Sequence, residues 1–80
     1  MAFIATSEKE LAGKVARLLK AEMKRAGVTY GELAQRLGDH GFPETEASIT
    51  SKLARGTFAA TFLLAVLAAL DVKELQLSAL

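Results

Sequence analysis

Residue types that catalyse reactions or bind metal ions are almost absent from this sequence. It has no cysteine, which excludes a thiolate nucleophile, a disulfide framework and a zinc site with cysteine ligands. The single histidine, His40, cannot supply a multi-histidine metal shell. We find no glycine-rich phosphate loop and no pair of acids suited to general acid–base work. The sequence therefore predicts a protein that is not an enzyme, with no metal, no cofactor and no small-molecule substrate.

Charged side chains are distributed unevenly along the chain. The formal net charge is only +1, but residues 9–36 contain seven basic and three acidic side chains, whereas residues 37–80 contain three basic and five acidic ones. A basic first half suits contacts with phosphates. However, Glu8, Glu10 and Glu22 interleave with its lysines and arginines, which equally fits a solvated helix face with i,i+4 ion pairs. Both interpretations stay open from the sequence.

The elements that must position these side chains are predicted to be helices of one domain, residues 1–80. A chain with 51% hydrophobic residues and one proline is expected to fold. Capping signals and apolar residues three and four apart predict helices over 8–26, 30–40, 45–54 and 58–70, then a short element over 72–80 that is helix or strand. The predicted fold class is an all-α bundle of four to five helices.

The fourth predicted helix is apolar on nearly every face. Thr57 is expected to cap it directly after the stop at Gly56. Such a helix must lie at the centre of the bundle or touch another subunit, so we expect a homodimer. The dimer contacts are predicted at Phe62, Val66, Leu67 and Leu77. The apolar run is too short to span a bilayer, and the first residues lack the pattern of a secretory signal, so we expect a cytoplasmic protein without a membrane partner.

Two stretches carry a resemblance to known families. The run TYGELAQRLG (29–38), the later KLARG (52–56) and LAALDVKEL (67–75) resemble the Cro/C1-type, lambda-repressor-like helix-turn-helix family. Strings such as GVTYGELAQRL and KLARGTF also look like a bacterial domain-of-unknown-function family with that fold. Ile49 and Leu53 follow Ala34 by 15 and 19 positions, which makes the turn longer than in the Cro/C1 pattern.

The resemblance implies a bacterial transcriptional regulator that binds double-stranded DNA in a sequence-specific manner. The third helix would enter the major groove, the amino terminus of the second would lie near a phosphate, and two subunits would address adjacent half-sites. Small side chains on the third helix would let it sit deep in the groove, while its basic residues reach guanine edges or phosphates. The DNA-binding residues implied are Thr29, Tyr30, Gln35, Arg36, Thr45, Ser48, Ser51, Lys52 and Arg55.

A second interpretation uses the same residues differently. The stripe of Ala47, Ser51 and Ala54 could be a helix-packing surface, because small residues favour close helix contact in general. The chain would then be a non-enzymatic protein–protein interaction module that keeps a helix-turn-helix scaffold. The low net charge favours this alternative, whereas the paired helix caps and the basic residues Lys52 and Arg55 favour DNA.

Overall fold

The computed structural model describes residues 5–80, and in that part of the chain all regular structure is helical. The helices are α1 (Glu8–Ala26), α2 (Tyr30–Asp39), α3 (Glu46–Arg55) and α4 (Ala60–Ala69), followed by one 3₁₀ turn (Leu77–Ala79). The predicted all-α fold class is confirmed. The segment 72–80, for which helix and strand were both open, contains only that 3₁₀ turn.

Helices α1 and α2 begin and end where local side-chain chemistry requires it. The Ser7 hydroxyl accepts a hydrogen bond from the backbone N–H of Glu10 (3.1 Å). Thr29 and Glu32 form a reciprocal capping box, in which each side chain accepts from the other's backbone N–H. Gly27 ends α1 with φ = 68°, a left-handed conformation that glycine adopts without steric cost. Helix α1 runs without a break through Gly13.

The corner between α3 and α4 is built around Gly56. This glycine has φ = 70°, and a Cβ atom placed on it would lie 2.2 Å from the carbonyl oxygen of Ala12 in α1. The predicted cap at Thr57 is wrong, because the N-cap of α4 is Ala59 and no side chain caps that end. Three residues separate Gly56 from α4, and this short connection carries the chain away from α3. The two helices meet at an angle of 117°.

The core lies where α3 and α4 each pack across both α1 and α2. The Cα atoms of α3 and α4 do not come within 8 Å of each other, and neither do those of α1 and α2. Helices α1 and α2 are therefore held together through α3 and α4, and helices α3 and α4 through α1 and α2. The seven largest fully buried side chains come from all four helices and the residue after α4: Leu19, Leu33, Leu37, Ile49, Leu53, Val66 and Leu70.

Three of the four predicted dimer contacts belong to this core. Phe62, Val66 and Leu67 are at most 6% exposed, because α1 and α2 cover them within the same chain. They cannot also form a surface for a second subunit, so their assignment to a dimer interface is wrong. Leu77 is 60% exposed, so its assignment as a dimer contact stays a prediction, and Leu64 of α4 is 65% exposed. One side of α4 therefore faces outward although most of the helix is core.

Candidate nucleic-acid interface

Helix α3 presents one face to solvent over its whole length. It buries only Ile49 and Leu53, which are one turn apart and hold it against its neighbours. A shallow depression runs along the opposite side, and all of its lining residues are exposed: Glu46, Ala47, Thr50, Ser51 and Ala54. The small side chains keep this face low. A ten-residue helix with such a face can approach a ligand surface closely.

The cap at the amino terminus of α3 fixes how the helix leaves the preceding loop. The Thr45 hydroxyl accepts from the backbone N–H of Ser48 (3.0 Å), and the Ser48 hydroxyl accepts from the backbone N–H of Thr45 (2.9 Å). Ser48 was predicted as an adaptable donor or acceptor for DNA. The structure instead uses its hydroxyl for the cap and for a hydrogen bond to the Glu44 carboxylate (2.6 Å). Ser48 is half-buried and contributes to the position of α3, not to its free face.

Lys52 is also occupied within the chain, contrary to its predicted role at guanine edges or phosphates. Its Nζ lies 2.7 Å from the Glu44 carboxylate and 4.6 Å from the centre of the Phe62 ring in α4. The Glu44 carboxylate and the face of the Phe62 ring both attract the ammonium group. Burial would raise the pKa of Glu44, but the hydrogen bonds from Lys52 and Ser48 and the charge of Lys52 outweigh it and lower that pKa. Lys52 thus joins α3 to the preceding loop and to α4.

Arg55 remains available at the carboxyl end of α3. One guanidinium nitrogen donates to the Ser51 hydroxyl one turn earlier (2.9 Å), and both residues are exposed. The hydrogen bond orients the guanidinium along the outer face while most of its donors stay open. Thr50 differs, because its hydroxyl donates to the carbonyl of Glu46 (2.9 Å). The methyl group of Thr50 is therefore the part of that side chain left for an external contact.

The candidate residues on α2 are only partly available. Thr29 caps the helix, and its hydrogen bonds lower the pKa of the Glu32 carboxyl. Tyr30 is half-buried and packs against the core, and Gln35 is exposed. Arg36, predicted to add a phosphate contact, donates from its guanidinium to the carbonyl of Ala69 (2.9 Å) and so caps the end of α4. This long-range cap could not be seen in the sequence.

Two acidic residues that the sequence did not single out shape this region. Glu44 holds Lys52, as described above. The Glu46 carboxylate lies beside the amino terminus of α2, since a Cβ on Gly31 would be 3.4 Å from its Oε2. A carboxylate at the positive end of a helix is favourable for the fold. It also places negative charge where the family resemblance implies a phosphate. No sequence spacing signals either contact, because each crosses a loop or joins different helices.

Other site chemistry is limited in the described part of the chain. Within residues 5–80, no three His, Cys, Asp or Glu side chains are grouped as metal ligands. None of the described helices is by itself long and apolar enough to cross a membrane. Helices α3 and α4 reach the required length and hydropathy only when they are counted together, and the chain bends by 117° between them.

Comparison with known proteins identifies a family. A model of the family described as "Domain of unknown function (DUF6471)" matches residues 8–75, which is most of the chain. The protein belongs to this family, and the predicted resemblance to a family of unknown function is confirmed. No curated protein and no solved structure matched the chain. The resemblance to Cro/C1 repressors stays a prediction.

Proposed function

We propose that this protein is a transcriptional regulator that binds double-stranded DNA by placing α3 in the major groove. The proposal rests on the outer face of α3, whose residues are all exposed. Two buried residues hold the helix in place, and both of its ends are capped. A major groove about 12 Å wide accepts one helix, and small side chains let that helix sit deep. The likeness of residues 29–38 and 52–56 to the Cro/C1 motif supports the same arrangement.

The contacts on α3 also indicate what such a helix would read. Ala47, Ala54 and the methyl group of Thr50 are suited to apolar contact with the C5-methyl groups of thymine. Arg55 is suited to a guanine edge or a phosphate at the carboxyl end of the helix. Among the residues predicted from the sequence, Ser51 and Arg55 keep this role. Ser48, Lys52 and Arg36 move to positioning roles because their polar groups are used within the fold.

Fluorescence anisotropy with labelled duplexes over a salt series tests the proposal. We expect the observed association constant to fall steeply with salt, and Arg55→Ala to weaken binding. Lys73→Ala is the matched control, since it removes the same charge from an exposed residue beyond α4. Equal effects of the two variants would reject the assigned role of Arg55. Undetectable binding of the unchanged protein at low salt to a varied set of duplexes would reject DNA binding itself.

A protein-interaction role is the second candidate, and two observations favour it. The intramolecular contacts of Lys52 and Ser48 leave α3 with few free polar groups, and Glu46 adds negative charge at its start. Leu64 and Leu77 are exposed apolar side chains that a partner could cover. If the regulator is a homodimer, exposed apolar side chains such as these two leucines are candidate contacts, in place of the buried residues of α4.

A further inference from the structure

The exposed cations of α1 fall into two groups on different faces. On one face, Lys14 lies 3.7 Å from a carboxylate oxygen of Glu10, and Arg25 lies 2.6 Å from one of Glu22. We call these four residues the paired face. The other group is exposed and has no ion pair within residues 5–80: Lys9, Arg17, Lys20 and Lys24. We call this group the cationic face.

Helical geometry separates the cationic face from every acid on α1. With 3.6 residues per turn, its four residues fall within about 80° of arc. Glu8, Glu10 and Glu22 all lie outside that arc. The interleaving of acids and bases in the sequence therefore resolves into a neutralised side, formed by the paired face, and a basic side that Glu8 and Glu10 border. The solvated-face interpretation applies to the first side only.

The cationic face reaches the end of α3 on one side and the start of α2 on the other. Lys9 shares a depression with Ala54 and Arg55 at the carboxyl end of α3, and Glu8 also lines it. Ala54 also lines the depression along the outer face of α3, so the two surfaces are continuous. At the opposite end, Lys20 and Lys24 line a depression with Thr29 and Tyr30 at the start of α2.

The start of α2, which lines this second depression, also lies near the start of α3. The amino terminus of α2 approaches Glu46, because Gly31 lies beside the Glu46 carboxylate. The early part of α1 is thus near the end of α3, and the late part of α1 is near its beginning. Lys9 and the pair Lys20 and Lys24 therefore lie toward opposite ends of α3, whereas Arg17 lies in a depression with Lys14, Ala79 and Leu80.

We infer that the cationic face of α1 binds the phosphate backbone of the duplex whose major groove receives α3. Packed helices lie about 8–10 Å apart. In a groove about 12 Å wide, a neighbour at that distance lies over one sugar–phosphate strand. Lys9, Lys20 and Lys24, which form no ion pair within residues 5–80, complement that strand, whereas the paired face offers almost no net charge. This inference rests on the proposed function and adds a surface outside the helix-turn-helix.

The double variant Lys20→Ala/Lys24→Ala, compared with Lys14→Ala/Arg25→Ala, tests the inference. Both remove two positive charges from the same helix, and alanine preserves the helix. In a salt series with labelled duplex, we expect the slope of log K against log[salt] to shrink by about 1.8 for the first variant, because each phosphate contact contributes about 0.9. The control should keep the slope of the unchanged protein. The loss should be the same for duplexes of different sequence.

Each other outcome has a definite meaning. Equal slope changes in both variants would show a general charge effect and overturn the inference. Unchanged slopes in both, with the unchanged protein still binding duplex, would overturn the inference and leave the proposed function standing. A parallel titration with polyglutamate tests whether the cationic face binds an acidic protein instead of DNA. Binding to polyglutamate without binding to duplex, or binding to neither, would reject both the inference and DNA binding.

Discussion

Helices α3 and α4 have the same length and pack on the same two neighbours, yet they are specified in different ways. Helix α3 has a capping box at its start and a left-handed glycine at its end, and it buries two residues. Helix α4 has no side-chain cap and buries four residues of its own. Its carboxyl end is completed from a distance by Arg36 of α2. Local signals define α3, whereas tertiary burial defines α4.

The largest effect should come from the corner that joins these two helices. Gly56→Ala would force a left-handed conformation on alanine and push its Cβ against the Ala12 carbonyl. We expect a loss of about 3 kcal/mol of unfolding free energy from the two costs together. Gly27→Ala is the control, because φ is nearly the same (68°) and the space around a Cβ is open. It should cost about 1 kcal/mol in urea denaturation. Equal losses would show that the contact with α1 is unimportant.

A smaller effect is expected from exchanging the capping properties of the two helices. Thr45→Ala removes the hydroxyl that caps α3 and should cost about 1 kcal/mol. Ala59→Asp supplies a cap and a favourable charge where α4 has neither, and should stabilise by about 0.5–1 kcal/mol. Thermal and urea unfolding measure both. If Ala59→Asp destabilises the protein, the idea that α4 lacks only a local start signal is incorrect.

The smallest effect concerns pH and the link from Lys52 to Glu44. The pKa of Glu44 is lower in the folded chain than its ordinary value of 4.5, so its contribution to stability is present above that value. The contribution is lost as pH falls through the lower folded pKa. Lys52→Met keeps an apolar side chain against Phe62 but removes the positive charge. It should therefore reduce the loss of unfolding free energy that accompanies protonation of Glu44. We expect a difference below about 1 kcal/mol. If the urea midpoints of the unchanged protein and of Lys52→Met change in parallel between pH 3 and 6, the prediction for the Lys52–Glu44 link is wrong.

The sequence predicts most of the scaffold because its signals are local. Ser7, Gly27 and the Thr29 box act over three or four residues, so they can be recognised without tertiary information. The same holds for Thr45 before α3. At Thr57 a cap residue stands in a suitable place, but the close fit of Gly56 against α1 sends the chain on for three residues before α4 begins.

The candidate site was less predictable because its polar groups depend on distant residues. Lys52 is eight positions from Glu44 and contacts Phe62 on another helix, and Arg36 reaches Ala69. Sequence patterns give the face of a residue but not the partner that occupies it. Hydrophobicity alone likewise placed Phe62, Val66 and Leu67 at a dimer surface, although a small bundle needed them for its own core.

The outer hydrogen bonds of α3 have a consequence for how this protein can change. Thr50 bonds to Glu46 and Ser51 bonds to Arg55, so these exposed positions interact within their own helix. Replacing them removes no contact with another helix, because their polar partners lie on α3 itself. Descendants of one ancestral gene could therefore diverge at the outer positions of α3 while inheriting the remaining helices unchanged. Engineers could diversify the same positions in a library without redesigning the scaffold.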